Sequence, residues 1–152
     1  MAAFNASYRG VGTFRQELWA QARRQHNQWS NIFGRTRRVW DLQSEEFWKA
    51  KRAERQMIGS AIQGTAAELT KESLVRLDDW IKESGVPALL VNTVHDEIQI
   101  DCPRECLPTV VAEVKRRMEA FPEFAPIPII VDADWTNKTW ADKHEYEESD
   151  HG

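Results

Sequence analysis

With 152 residues and a formal net charge of −4, the chain is about one domain's worth of polypeptide, long enough to bury a real core. Its apolar runs fall short of the ~20 residues that span a bilayer, and MAAFNASYRGVG carries no apolar signal stretch, so neither a membrane span nor a secretory leader is expected. Two cysteines, Cys102 and Cys106, are too few for a disulfide framework or a cysteine-ligated metal centre, which leaves a reduced, cytoplasmic setting as the default. Charge is unevenly spread. Residues 1–58 hold 11 Lys and Arg against 5 Asp and Glu, whereas residues 59–152 hold 9 against 19. A basic front and an acidic back suit a protein that grips phosphates at one end, and equally a solvated surface of uneven charge.

In chain order, Phe14, Leu18, Trp19 and Ala22 follow helical spacing and predict a helix over 13–27. Residues 28–41 read as a hairpin that turns at Gly34-Arg35-Thr36. A second helix is expected over 44–58, with Ser44 as its N-cap. The clearest helix is 62–84, where Ile62, Ala66, Leu69, Leu77 and Ile81 recur every three to four positions, and Gly85 then Pro87 end it. Strands 88–94 and 97–101 follow, separated only by His95 and Asp96. An amphipathic helix is expected over 104–121, with Pro108 tolerable in its first turn, and a last strand over 127–135. Helices packed on a small, mostly antiparallel sheet make an α+β domain. The expected divisions are 1–43, a helix and basic hairpin; 44–144, the main body; and 145–152, a frayed acidic tail.

Two constellations carry chemistry. At the tip His95-Asp96-Glu97, a carboxylate reaches into a cleft without burying backbone polar groups, and Asp96 is suited to Mg²⁺, which takes one or two carboxylates plus substrate phosphates. An Asp at a turn is also commonplace. A His-Asp metal hydrolase would need further ligands, and His26, His144 and His151 show no ligand spacing. The second constellation is the small-residue run Gly59-Ser60-Ala61 to Gly64-Thr65-Ala66-Ala67, bordered by Arg55 and Gln63. Small residues permit close approach of another backbone or a nucleic acid. Long polar donors there match the minor-groove acceptors that every base pair presents. A tight helix–helix contact with solvent-facing Arg and Gln is the alternative.

The stretch AERQMIGSAIQGTAAELTK followed by LLVNTVHDEIQI resembles the family A DNA polymerases, the bacterial DNA polymerase I type. Those enzymes carry Ala-Glu-Arg, then Gln-Gly-Thr-Ala-Ala-Asp, then Val-His-Asp-Glu. YRGV is similar to their Tyr-Pro-Gly-Val, GRTRR to their Gly-Arg-Arg-Arg hairpin, and Asp-Trp followed by Trp-Ala-Asp-Lys-His to their Asn-Trp and Ala-His ending, so the resemblance runs over residues 8–144. Gly59 stands where the family usually has Asn, Ala61 where it has Pro, and Glu68 where it has Asp. The resemblance implies a palm portion that performs templated nucleotidyl transfer with two Mg²⁺ ions. It makes Asp96 a metal ligand, Glu97 an auxiliary metal-site carboxylate and His95 a contact to the primer terminus. Arg55 and Gln63 would touch the minor groove, and Arg35, Arg37 and Arg38 would touch phosphates. The partners implied are a DNA primer–template and a deoxynucleoside triphosphate.

The family's other catalytic Asp and its nucleotide-binding fingers helix have no match here. A split polymerase is therefore expected, active only with a second polymerase chain that carries them, in a bacterial cell or in a host infected by a bacterial virus. The alternative is a non-catalytic module that binds DNA or docks on a replication protein.

Overall fold

A computed structural model describes residues 6–147. The chain forms two compact units, Met1–Glu68 and Leu69–Gly152.

In the first unit, α1 spans Arg9–Arg24, and β1, Gln28–Ser30, pairs antiparallel with β2, Thr36–Arg38. Helix α1 starts earlier than the spacing predicts and stops earlier too, because His26 and Asn27 take left-handed backbone angles that cannot continue a right-handed helix. The Asn31 side chain accepts from the Phe33 and Arg35 amides at 3.1 and 2.9 Å, and Gly34 supplies the positive φ that closes the turn. Leu18, Ala22, Trp29, Val39 and Leu42 pack with Ala53, Met57 and Ala61 in one buried cluster.

The largest departure from expectation is α2, one unbroken helix from Phe47 to Ser84 where two were expected. Gly59 and Gly64 cost roughly 1 kcal/mol each relative to Ala in a helix interior, yet neither ends it. Ser60 and Thr65 turn their hydroxyls back onto the Gln56 and Ala61 carbonyls, both at 2.6 Å, so the polar side chains do not interrupt the ladder. The start is also shifted. The Glu46 carbonyl accepts the first helical bonds, from Lys49 and Ala50, while the Ser44 hydroxyl accepts from the Glu46 amide at 3.2 Å, so Ser44 precedes the cap position.

In the second unit, Gly85 ends α2 with φ +69° as its amide donates to the Ile81 carbonyl. Strands β3, Leu89–Val94, and β4, Glu97–Asp101, form a two-stranded antiparallel sheet. A single turn of 3₁₀ helix, Arg104–Cys106, leads into α3, Leu107–Glu119, with Pro108 in the first turn as expected. Leu77, Trp80, Ala88 and Val110 form this unit's buried core, joined by Leu90, Ile98, Ile100 and Val114. Of the expected strand over 127–135, only β5, Asp134–Trp135, forms, paired with β6, His144–Glu145. Pro126 and Pro128 remove two donors, and the stretch between them and β5 finds no ladder partner among the described residues. The architecture is α+β, with three separate two-stranded antiparallel sheets among the described residues. Within the expected tail, residues 148–152 lie outside the described residues.

Candidate active site

Strands β3 and β4 are joined by His95 and Asp96 alone, with Val94 opposite Glu97 as the last pair. A two-residue turn that matches strand twist needs a positive φ at its start, and His95 supplies it at 57°. That conformation costs a non-glycine residue roughly 1–2 kcal/mol, the kind of local strain that collects at functional sites. Asp96 is exposed, and its carboxylate has no polar partner among the described residues.

Glu97 is in the opposite circumstance. Its Oε1 accepts from Gln99 Nε2 at 2.9 Å and its Oε2 from Lys143 Nζ at 3.0 Å. These bonds, led by that from Gln99, hold its carboxyl below the usual carboxylate range. Upstream, Asn92 Nδ2 donates to Gln99 Oε1 at 3.3 Å, which extends a polar row along one face of the hairpin. A bulge sets up that row. Leu90 pairs with Ile100 but Asn92 with Gln99, so Val91 is left unpaired and the alternation shifts phase. Leu90, Ile98 and Ile100 consequently face the core, while Asn92, Gln99 and Glu97 share the other face.

The basic residues lie in the first unit. Arg55 and Gln63 are both exposed on α2, and neither has a polar partner among the described residues. From Arg55 onward, Gly59, Ile62 and Ala66 continue a stripe at helical spacing, open to solvent apart from a half-covered Gly59. Arg35 is less available than its sequence context implies, because its guanidinium pairs with Glu68. Arg37 and Arg38 are exposed on β2, and Arg38 stacks 4.8 Å from the Trp40 ring centroid. Lys143, Gln99 and Glu68 were not singled out in the sequence as partners of site residues. The only signal available was their inclusion in the quoted motifs, since ion pairs distant in sequence leave no periodic trace.

Among the described residues, no group of three or more His, Cys, Asp or Glu side chains is placed to hold a metal ion, and no helix is long and apolar enough to cross a membrane.

Comparison with known proteins places this hairpin in a larger context. Residues 1–142 match the family model for DNA polymerase family A. The chain is 32% identical over 139 residues to DNA polymerase I of Pseudomonas aeruginosa, covering 91% of this chain and 15% of that protein. Against DNA polymerase I of Lactococcus lactis subsp. cremoris the identity is 36% over 133 residues, 88% of this chain and 15% of the relative. A DNA polymerase of Bacillus phage SP01 is 39% identical over 93 residues, 61% of this chain and 10% of its own length. Among solved structures, the polymerase domain of Pol1 from M. smegmatis, in complex with DNA primer–template and dNTP, aligns with a TM-score of 0.72 at 27% identity, covering 78% of this chain and 21% of that one. This chain belongs to DNA polymerase family A. It spans between 10% and 15% of the length of these curated relatives.

Proposed function

We propose that the chain supplies the palm hairpin of a DNA-directed DNA polymerase. In this reading Asp96 provides one of the carboxylates that hold Mg²⁺, beside Glu97. The observation that carries it is the exposed, unpartnered Asp96 carboxylate at a strained two-residue turn, in a segment matched to family A polymerases. In the reaction, a primer 3′-oxygen attacks the α-phosphorus of a deoxynucleoside triphosphate and pyrophosphate leaves. Two Mg²⁺ ions, when bound, stabilise the attacking and leaving oxygens. Asp96 offers hard oxygen donors of the type Mg²⁺ takes. The remaining ligands come from a second polymerase chain, which also brings the fingers helix. His95 contacts the primer terminus. Arg55 and Gln63 donate to minor-groove acceptors of the newest pairs. Arg37 and Arg38 meet phosphates of the primer–template, with Arg35 joining them once released from Glu68.

The test is primer extension by the assembled enzyme with Asp96→Ala, alongside circular dichroism. Extension is expected to fall by several orders of magnitude with the fold intact, because loss of a metal ligand removes several kcal/mol of transition-state stabilisation. A near-normal rate would remove Asp96 from the active site and favour a DNA-clamping module.

A further inference from the structure

The nucleotidyl-transfer chemistry assigns no part to Lys143, yet Lys143 is the best-connected cation near the hairpin tip. Its Nζ lies 3.0 Å from Glu97 Oε2 and 3.1 Å from Asp134 Oδ2. Asp134 opens β5, and Lys143 immediately precedes β6, its antiparallel partner. One ammonium therefore ties the β3–β4 tip to the β5–β6 pair. The approach to Lys143 is itself held, because Thr139 and Asp142 close a capping box over the 3₁₀ turn Trp140–Asp142. The Trp140 ring centroid stands 5.9 Å from the ammonium. Glu97 meanwhile is held on its other oxygen by Gln99. Its carboxylate is gripped from both sides, next to a carboxylate that is free.

We propose that Lys143 is a positioning residue for Asp96. It acts through Glu97, fastening the tip of the hairpin to the β5–β6 segment. Two features of the tip make this fastening useful. Val94 opposite Glu97 is the pair that frames the turn, so pinning the Glu97 side chain pins the base on which Asp96 stands. Adjacent carboxylates repel one another, and an ammonium shared by Glu97 and Asp134 offsets that repulsion without occupying Asp96. Glu97 is on this account an anchored auxiliary carboxylate, with Asp96 as the tip's open ligand. The inference rests on the reading of Asp96 as a polymerase carboxylate.

The experiment compares wild type, Lys143→Ala, Lys143→Arg and Asp134→Asn in the full chain by amide hydrogen exchange. Steady-state primer extension with the complementary polymerase chain follows. In Lys143→Ala, exchange at residues 94–97 is expected to rise roughly twofold to fivefold, the range an ion pair of this exposure supports. Exchange in β1 and β2 should not change. The turnover number should fall about tenfold, within the loss that a small misplacement of a reacting group causes, with KM for primer–template unchanged. Lys143→Arg should restore both readouts, and Asp134→Asn should fall between. Unchanged exchange at the tip in Lys143→Ala, a rise in exchange spread over the whole unit, or failure of Lys143→Arg to restore would each overturn the latch. An Asp96→Ala control separates the two readings. If that variant extends primers normally, the polymerase assignment of the tip fails, while the exchange data still judge the latch.

Discussion

Asp96 and Glu97 are neighbours of the same chemical type, but their surroundings give them different work. Glu97 is consumed by Gln99 and Lys143, whereas Asp96 is exposed at the turn with no polar partner among the described residues. Adjacent residues at a hairpin tip separate in this way because the turn leaves the ladder at one of them and the strand resumes at the other. The same contrast holds among the basic residues. Arg35 is paired with Glu68, while Arg55 and Gln63 stand exposed beside an accessible stripe of α2. In the proposed reading, the small residues Gly59 and Ala66 beside these long donors let a duplex approach closely, so that pair shape is checked. Arg55→Ala and Gln63→Ala are each expected to slow extension by the assembled enzyme about fivefold, the worth of one hydrogen bond. Parallel extension assays on templates of different sequence should show the same loss on each. A loss confined to particular base pairs would contradict minor-groove contact.

Among the elements, α1 and α2 are joined by a compact ion cluster. Glu54 accepts from Lys51 at 2.8 Å and from Arg15 at 3.1 Å. The Lys51 bond foremost, then Arg15, lowers its pKa against an opposing effect of burial. A folded pKa below the unfolded one means that the stabilisation is fully present above the unfolded pKa and is lost as pH falls through the lowered folded value. Glu54→Gln should therefore cost about 1 kcal/mol at neutral pH, and the gap to wild type should close in acid. Denaturant unfolding across that acid range measures it.

Elements whose cause is local were legible in the sequence. The β3–β4 hairpin, the stop at Gly85 and Pro108 in the first turn of α3 all follow from turn chemistry and periodicity. The join in α2 was not. The sequence divides it into helices over 44–58 and 62–84, and what bridges them, burial of Met57 and Ala61 on α1 and the β1–β2 hairpin, depends on contacts distant in sequence. Residues 127–133 failed in the opposite direction, since an apolar, β-branched run says nothing about whether a partner strand exists. At the site, the positions of His95, Asp96 and Glu97 were legible, while the partners that divide their roles were not.

For the molecule as a whole, the chain spans between 10% and 15% of its relatives' length, and in the proposed reading it supplies one carboxylate-bearing tip. Alone, it is expected to show no primer extension, and to gain it when mixed with a chain carrying the second catalytic Asp and the fingers helix. Size-exclusion chromatography and extension assays of each chain and of the mixture check this. Robust extension by the 152-residue chain by itself would overturn it. The unpaired Val91 has a consequence for insertions and deletions among related sequences. Because Val91 already lies outside the ladder, a one-residue gap there preserves every pair from Asn92 opposite Gln99 to Val94 opposite Glu97. A one-residue gap between Asn92 and Gln99 would instead invert one strand's faces, turning Ile98 outward or Glu97 inward. Length variation in this hairpin should therefore gather at Val91, and relatives that differ there by a single residue can present the same tip.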